Sequence, residues 1–342
     1  MKQINTTEAV GHVLCHDITQ IIKDKTKDAI FRKGHIVTQE DVPVLLSLGK
    51  DHLYVWEKQE GMLHENDAAE ILYGICKNDY MSPTPVKEGK IDLIAGIDGL
   101  FKADVNRLNA INAIEDIIIA ARHTNTPVKK GDKLAGTRVV PLVIEKEKMD
   151  RAVQVAGEEP LFKILPYTHK KVSLVITGSE VYYGRIQDAF GPVIRSKLAE
   201  YDTEILSQDL MHDDANEITR LISGAIAQGA ELVVCTGGMS VDPDDTTPTA
   251  IRRTGARVVT YGAPVLPGAT FLLAYWEEGG KSVPILGLPG CVMYARRTIF
   301  DLVLPRIMSN DKLTREEIAK LGHGGLCLGC DVCVYPNCGF GK

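Results

Sequence analysis

The stretch Lys171-Val-Ser-Leu-Val-Ile-Thr-Gly-Ser-Glu180 joins a short apolar run to a glycine-bearing turn, and Glu231-Leu-Val-Val-Cys-Thr-Gly-Gly238 repeats this design. Short runs rich in β-branched residues are typical of strands buried on both faces of a parallel sheet. Between them, Asp214 and Glu217 have capping-box spacing at the start of a predicted helix that ends at Gly229. Strands that alternate with helices in this way predict an α/β fold with a three-layer, mostly parallel sheet.

The regular pattern extends from residue 168 to residue 307, which we predict to be one α/β domain. It includes a short strand expected around Thr203 to Leu206 and an apolar helix expected from Val292 to Leu304, ending at Pro305. Residues 1–167 are less uniform and predict an α+β, β-rich N-terminal half with small β modules. Residues 308–342 are predicted to form a C-terminal helix and a cysteine-rich tail. A length of 342 residues is compatible with two or three such domains.

The charge balance limits the classes of partner. The chain has 45 Asp and Glu against 39 Lys and Arg, a formal net charge of -6. This predicts no general affinity for nucleic acid or for an anionic membrane. No apolar run approaches the roughly 18 residues that would span a bilayer, and the first residues are polar. We therefore expect a cytoplasmic protein. Separately, we expect it to form a homo-oligomer.

A glycine-bearing loop follows each of the two predicted strands quoted above. Ligands of parallel sheets bind at the carboxyl ends of strands, and glycine allows backbone N–H groups to approach a phosphate closely. Neither the dinucleotide fingerprint G-x-G-x-x-G nor the P-loop pattern occurs in the chain. The residues predicted to contact a ligand are Thr177, Gly178, Ser179, Glu180, Thr236, Gly237, Gly238 and Ser240.

Carboxylates stand beside both loops. Asp188 follows the first loop, and Asp242, Asp244 and Asp245 follow the second. One interpretation is that acids from both loops hold Mg²⁺ beside a phosphate. The other is helix capping, because both segments precede predicted helices. From spacing alone, capping is the more usual role for each residue taken separately.

The same segments, in the same order, resemble the molybdopterin-binding domain family, which includes molybdopterin adenylyltransferase and molybdopterin molybdenumtransferase. The resemblance covers roughly residues 170–307. It is carried by Thr177-Gly-Ser-Glu180, Asp188, Thr236-Gly-Gly-Met-Ser-Val-Asp-Pro-Asp-Asp-Thr-Thr-Pro248 and Leu288-Pro289-Gly290.

The resemblance implies a ligand, a metal and a reaction class. Molybdopterin or its adenylylated form would be the ligand or substrate, with Pro289 and Gly290 joining the loop residues around it. Asp188 and Asp245 would be the catalytic residues and would hold Mg²⁺. The implied function is molybdenum-cofactor biosynthesis by a transferase, through Mg-dependent metal insertion or nucleotidyl transfer. The alternative is a non-enzymatic carrier, sensor or insertion partner for a molybdenum or tungsten enzyme.

Three positions depart from the family pattern. Phe190 stands where the family usually has Asn, Asp242 where the molybdenumtransferase has Gly, and Cys291 where the residue after Leu-Pro-Gly is Asn. These departures bear on the reaction more than on the ligand.

Half of the eight cysteines lie in the last 16 residues, as Cys327, Cys330, Cys333 and Cys338. In a cytoplasmic protein such a cluster indicates metal or redox chemistry before disulfides. Three cysteines at consecutive C-x2-C spacing favour a [4Fe–4S] cluster, since structural zinc sites usually have two separated pairs. Zinc is the second interpretation and a flexible redox tail is the third.

Overall fold

The computed structural model describes residues 2–22, 26–55, 60–239 and 245–342. The chain forms two compact units: residues 1–97, 103–122 and 130–164 make the first, and residues 98–102, 123–129 and 165–342 make the second. The second unit thus contains two short segments from the N-terminal half, which no sequence pattern predicted. Within the described residues, every helix is too short or too polar to cross a membrane.

The N-terminal half is rich in short strands, in agreement with the predicted α+β, β-rich character. Its helices are α1 (Asp41–Ser47), α2 (Glu65–Cys76), α3 (Val105–Asn112) and α4 (Lys146–Ala156). Its strands are β1 (Lys2–Asn5), β2 (Ile18–Ile22), β3 (Thr26–Phe31), β4 (His52–Val55), β5 (Met62–His64), β6 (Met81–Pro83), β7 (Lys90–Ala95), β8 (Gly99–Ala103), β9 (Ile117–Ala121), β10 (Thr126–Val128), β11 (Lys133–Val139), β12 (Val143–Glu145) and β13 (Phe162–Pro166).

The first unit has two parts. An antiparallel sheet in the order β6-β7-β11-β9 packs against α2. That helix buries Ala68, Leu72 and Cys76, which are spaced four residues apart and therefore share one face. Upstream, the hairpin β2–β3, the pair β1–β4 and α1 surround a small apolar core that includes Leu14 and Leu45.

The second unit contains the predicted α/β region. Its strands are β14 (Lys170–Thr177), β15 (Thr203–Met211), β16 (Leu232–Thr236), β17 (Arg257–Tyr261), β18 (Leu272–Glu278) and β19 (Lys281–Leu288). Its helices are α5 (Ser179–Tyr182), α6 (Phe190–Leu198), α7 (Ala215–Ala227), α8 (Thr247–Arg253), α9 (Ile299–Met308) and α10 (Arg315–Lys320).

These strands form one sheet in the order β15-β14-β16-β19-β18-β17. The pairs β14–β15, β14–β16 and β16–β19 are parallel, and β18 is antiparallel to both of its neighbours. Successive residues of β16 face opposite sides: Val234 packs in a core with α6 and α9, and Val233 packs in a core with α7 and α8. Helices therefore cover both faces, and the predicted three-layer, mostly parallel α/β fold is confirmed.

The strongest predicted helix forms as α7. The Asp214 carboxylate accepts hydrogen bonds from the backbone N–H groups of Asn216 at 2.8 Å and Glu217 at 3.1 Å. The Glu217 carboxylate binds the Arg220 guanidinium at 2.6 Å. Gly229 follows the helix with a φ of +99°, as a terminating glycine should.

The predicted helix from Val292 to Leu304 is wrong in its bounds. The helix is Ile299–Met308, which begins at a capping box made by Thr298 and Asp301. Pro305 lies inside it instead of ending it. A proline has no N–H to donate to the carbonyl four residues before it, here that of Asp301. The Tyr335 hydroxyl donates to this carbonyl at 2.9 Å, and this bond makes the internal proline tolerable.

Tyr335→Phe tests this compensation. The substitution keeps the ring and removes the hydroxyl, so the Asp301 carbonyl loses its partner. An unsatisfied buried acceptor costs about 1–3 kcal/mol, and we expect urea denaturation to show a loss of this size. Tyr294→Phe is the control, because Tyr294 is 79% exposed and should change stability little. Equal midpoints for the two variants would contradict the explanation.

Candidate functional site

A cleft of about 680 Å³ lies beyond the carboxyl ends of β16 and β19. Backbone-rich segments form much of its wall. Five residues predicted from the sequence line it: Gly237, Gly238, Asp245, Pro289 and Gly290. The other lining residues are Phe190, Met239, Leu266, Pro267, Gly268, Ala269, Thr270, Cys291, Met293 and Tyr294. The volume is within the range of pockets that hold small molecules, about 300–1,000 Å³.

Gly237 has the tightest backbone geometry of the cleft wall. Its φ is +83°, and a Cβ atom at this position would overlap the carbonyl oxygen of Thr177, at the end of the neighbouring strand β14. Gly238 has a φ of +53°, and its Cβ would lie 3.0 Å from the Thr247 hydroxyl oxygen. The two glycines therefore let the β16 loop pack directly on the end of β14.

A polar cluster lies behind this loop. The hydroxyl oxygens of Thr177 and Thr247 are 3.1 Å apart and buried. The Asp213 carboxylate accepts from the backbone N–H of Ser179 at 2.9 Å and from its hydroxyl at 3.1 Å. A Cβ on Gly238 would lie 3.4 Å from both Asp213 Oδ1 and Thr177 Oγ1. Thus Thr177, Ser179 and Gly238 meet around an acid that the sequence analysis did not single out.

Four buried polar atoms near the ends of β15 and β16 and the start of α8 have no hydrogen-bond partner among residues 2–22, 26–55, 60–239 and 245–342. They are His212 Nδ1, Asp213 Oδ1, Thr236 Oγ1 and Thr246 Oγ1. Buried polar groups are normally paired, since an unpaired one loses the hydration free energy without compensation. Unsatisfied atoms grouped beside a cleft are typical of a site that a polar ligand completes.

Asp213 was not predicted as a site residue, because the predicted end of β15 lies too early in the chain. The strand continues beyond the expected end at Leu206 to Met211, so Asp213 lies just after its carboxyl end. The rule that ligands bind at strand ends identifies this position once the strand is long enough. The sequence feature that could have identified Asp213 is the Asp213-Asp214 pair. Asp214 alone caps α7, so Asp213 is available for another role.

The predicted acids occupy different surroundings. Asp188 Oδ1 accepts from the backbone N–H groups of Phe190 at 2.8 Å and Gly191 at 3.0 Å, and the Gln208 amide donates to Oδ2 at 3.1 Å. The geometry of Asp188 is thus that of a group that caps α6. Asp245 lines the cleft. The predicted contact Ser240, with Asp242 and Asp244, falls outside the described residues.

The first loop is arranged by backbone contacts. Gly178 has a φ of +141° and its N–H donates to the Met211 carbonyl at 3.1 Å. Glu180 is exposed, and Thr236 is fully buried at the end of β16. Residues of this loop contact the polar cluster, whereas the cleft wall comes from the loops after β16 and β19, from Phe190 and from the segment 266–270 before β18.

Two departures from the family pattern lie in the cleft wall. Phe190 and Cys291 both line it, and Met239 and Met293 add two thioethers. Burial raises the pKa of the Cys291 thiol, so this group is protonated at neutral pH. The cleft surface is therefore more apolar and richer in sulfur than one with Asn at these positions.

Metal sites were predicted at Asp188 with Asp245 and at the four tail cysteines. Within the described part of the chain, no three His, Cys, Asp or Glu side chains converge closely enough to hold a single ion. The eight cysteines have free thiols. Both metal sites stay predictions.

Comparison with known families gives two matches. Residues 173–309 match the family described as "Probable molybdopterin binding domain". This range contains the six-stranded sheet apart from the first residues of β14, together with all residues that line the cleft. Residues 3–57 match a domain of unknown function, DUF8806.

Individual relatives cover parts of the chain. A molybdopterin molybdenumtransferase of Synechococcus elongatus is 27% identical over 199 residues, which are 54% of this chain and 47% of that protein. A CinA-like protein of Mycobacterium avium is 33% identical over 95 residues, 28% of this chain and 22% of that protein. The chain thus spans about half of one relative and about a fifth of the other. A structure of the tungsten cofactor synthesizing protein MoaB of Pyrococcus furiosus is also similar, with 18% identity and a TM-score of 0.35. The match covers 42% of this chain and 98% of the MoaB chain.

Proposed function

We propose that the cleft binds molybdopterin or its adenylylated form, because residues 173–309 match the family described as "Probable molybdopterin binding domain". The observation that carries the proposal is the coincidence of two independent features. The family match contains every residue of the cleft wall, and the unsatisfied polar atoms lie at the strand ends beside it. The chain would act in molybdenum-cofactor biosynthesis.

The cleft wall has apolar side chains that suit a pterin ring and exposed backbone that suits a phosphate. The aromatic and thioether side chains of Phe190, Met239 and Tyr294 offer apolar contact to a flat pterin ring. Gly237 and Gly238 offer backbone without side chains, where a phosphate can approach closely. The Asp213 and Thr236 oxygens that have no partner among the described residues lie behind this backbone, outside the cleft wall.

Mg²⁺ would be held mainly by Asp245. Magnesium usually keeps several waters and takes one or two carboxylates plus substrate phosphates, so a preformed cage is not needed. Asp188 already accepts three hydrogen bonds, one of them from Gln208. We therefore propose that Asp188 contributes less than Asp245 to magnesium binding and that it mainly positions α6. The metal supplies charge neutralisation at the phosphate when bound.

Asp245→Asn tests the magnesium site. Removing one charge from the ligand set should weaken Mg-dependent pterin binding at least about tenfold, with little change in the midpoint of unfolding. If Asp245 only capped α8, Asn would replace it with little effect on either quantity. Titrations with and without Mg²⁺ on the two proteins distinguish these roles, and equal Mg²⁺ dependence would exclude Asp245 as a ligand.

Within this family, the favoured reaction class is transfer on molybdopterin, either Mg-dependent metal insertion or nucleotidyl transfer. Such chemistry depends mostly on positioning and charge neutralisation, which the site residues can supply without a nucleophile. Turnover that requires ATP, or the adenylylated ligand together with molybdate, would support the enzyme.

A non-enzymatic carrier, sensor or insertion partner for a molybdenum or tungsten enzyme is the second candidate. The observation that favours it is the replacement of family Asn positions by Phe190 and Cys291 in the cleft wall, which removes two polar side chains. Tight ligand binding without turnover under the same conditions would support this candidate.

The binding proposal itself is tested without any activity. The full chain is produced anaerobically in cells that synthesise molybdopterin, and the released ligand is identified by mass spectrometry. Stoichiometric pterin supports the proposal. Protein that carries no pterin, and that fails to bind it in anaerobic titration, contradicts it.

A further inference from the structure

The last 19 residues form a loop that is closed at its base. The Gly341 N–H donates to the Gly324 carbonyl at 2.9 Å, and a Cβ on Gly324 would overlap the Lys342 carbonyl oxygen. Phe340, only 4% exposed, anchors the end of the loop in the core of the second unit. The segment that carries the four cysteines is therefore held at both ends.

The body of the loop is attached at two more points. Leu266 N–H donates to the Gly325 carbonyl and the Cys327 N–H donates to the Leu266 carbonyl, both at 2.8 Å. The Tyr335 hydroxyl bonds to Asp301 in α9. These contacts fix the path of the backbone on either side of Cys330 and Cys333.

The side chains of the loop leave its centre without an apolar core. Cys327 and Cys338 are half-buried at its base, and Cys330 and Cys333 are exposed. The apolar residues between them point to solvent: Leu328 is 79% exposed and Val332 is 75% exposed. Cys327 and Cys338 pack against the core of the second unit, but hydrophobic burial does not explain Cys330, Cys333 or the exposed apolar residues beside them.

Positive charge lies beside the thiols. The Arg296 guanidinium donates to the carbonyl oxygens of Cys330 at 3.4 Å and Asp331 at 2.5 Å. Arg297 lies 4.8 Å from the centre of the Tyr335 ring. Thiolates that share one metal centre repel one another unless cations offset them. Arg296 supplies such a charge beside Cys330, whereas Arg297 is also paired with the Asp301 carboxylate at 2.8 Å.

From this arrangement we infer that Cys327, Cys330, Cys333 and Cys338 bind one [4Fe–4S] cluster. The two consecutive C-x2-C intervals match the spacing that places three thiolates on one iron–sulfur cube, and Cys338 follows after four residues. Structural zinc sites usually have two C-x2-C pairs that lie farther apart along the chain, and this segment does not have that pattern. Each thiol loses its proton as it binds iron.

The test uses the full chain, produced and purified without air. We expect a brown protein that absorbs broadly at about 400 nm and contains about four irons and four sulfides per chain. Colourless protein with one zinc per chain overturns the cluster, and so does protein free of metal after anaerobic incubation with ferric iron, sulfide and a thiol reductant, which reduces part of the iron to the ferrous state.

Paired variants locate the site. The double variant Cys330→Ser/Cys333→Ser should lose at least about nine-tenths of the iron, and its fold should persist because both side chains are exposed. Val332→Ser is the matched control: it lies between the same cysteines, is also exposed and should retain the cluster. Circular dichroism of both variants checks folding. Full iron content in the double variant overturns the assignment of the ligands.

Discussion

Gly237→Ala is expected to abolish pterin binding, with a loss of affinity of at least about 100-fold. The added Cβ would overlap the Thr177 carbonyl oxygen, so the β16 loop must move away from the end of β14. That movement displaces the backbone that we propose to face the phosphate. The positive φ adds strain of about 1–2 kcal/mol for any residue with a Cβ. Binding is measured by anaerobic fluorescence titration with molybdopterin.

Gly229→Ala separates strain from displacement. Gly229 also has a positive φ, but a Cβ there would meet nothing within 4 Å. Its substitution should cost similar strain while leaving the site intact, so pterin affinity should be unchanged. Equal affinities for the two variants would show that close backbone approach at Gly237 has no role in binding.

Asp213→Asn is expected to weaken pterin binding by about tenfold to 100-fold, with a small change in stability. The asparagine can still accept from Ser179 through its carbonyl oxygen. Its amide then presents donors at the position of Oδ1, the buried atom that has no partner in the described residues. A ligand or ion that needs an acceptor there loses it. Isothermal titration with and without Mg²⁺ measures the effect.

The neighbouring Asp214→Asn is the control for this experiment. Asp214 caps α7 through two backbone N–H groups, and Asn caps nearly as well as Asp. Both its stability and its pterin affinity should match the unsubstituted protein. If Asp213→Asn behaves in the same way, the acid positions the Ser179 loop and has no part in binding.

Patterns within single elements predicted the sheet. The runs that became β14 and β16 are buried on both faces, and the cap of α7 lies where the Asp214 spacing indicated. The cleft wall at Gly237 and Pro289 was also predictable, because glycine and proline mark strand ends and because the segments resemble a known family. These features depend on residues that are close together in the sequence, so one sequence is enough to predict them.

Features that depend on distant contacts were not predictable. Pro305 indicated the end of a helix, but the Tyr335 hydroxyl, 30 positions later in the chain, supplies the bond that lets the helix continue. Spacing alone favoured capping for Asp188, but it did not predict that Gln208 from β15 also donates to its carboxylate. The importance of Asp213 required the true length of β15. In each case the missing information was a partner far along the sequence.

Leu266 has two neighbours of different kinds. Its side chain lines the cleft, and its backbone exchanges hydrogen bonds with Gly325 and Cys327 of the cysteine loop. A ligand in the cleft and a metal centre in the cysteine loop would therefore both contact the peptide segment around Leu266. Thermodynamic linkage requires any coupling through that segment to be reciprocal: if metal in the loop raises affinity for the pterin by some factor, the pterin raises retention of the metal by the same factor. A chelator competition run with and without the pterin would measure that factor from the side of the metal.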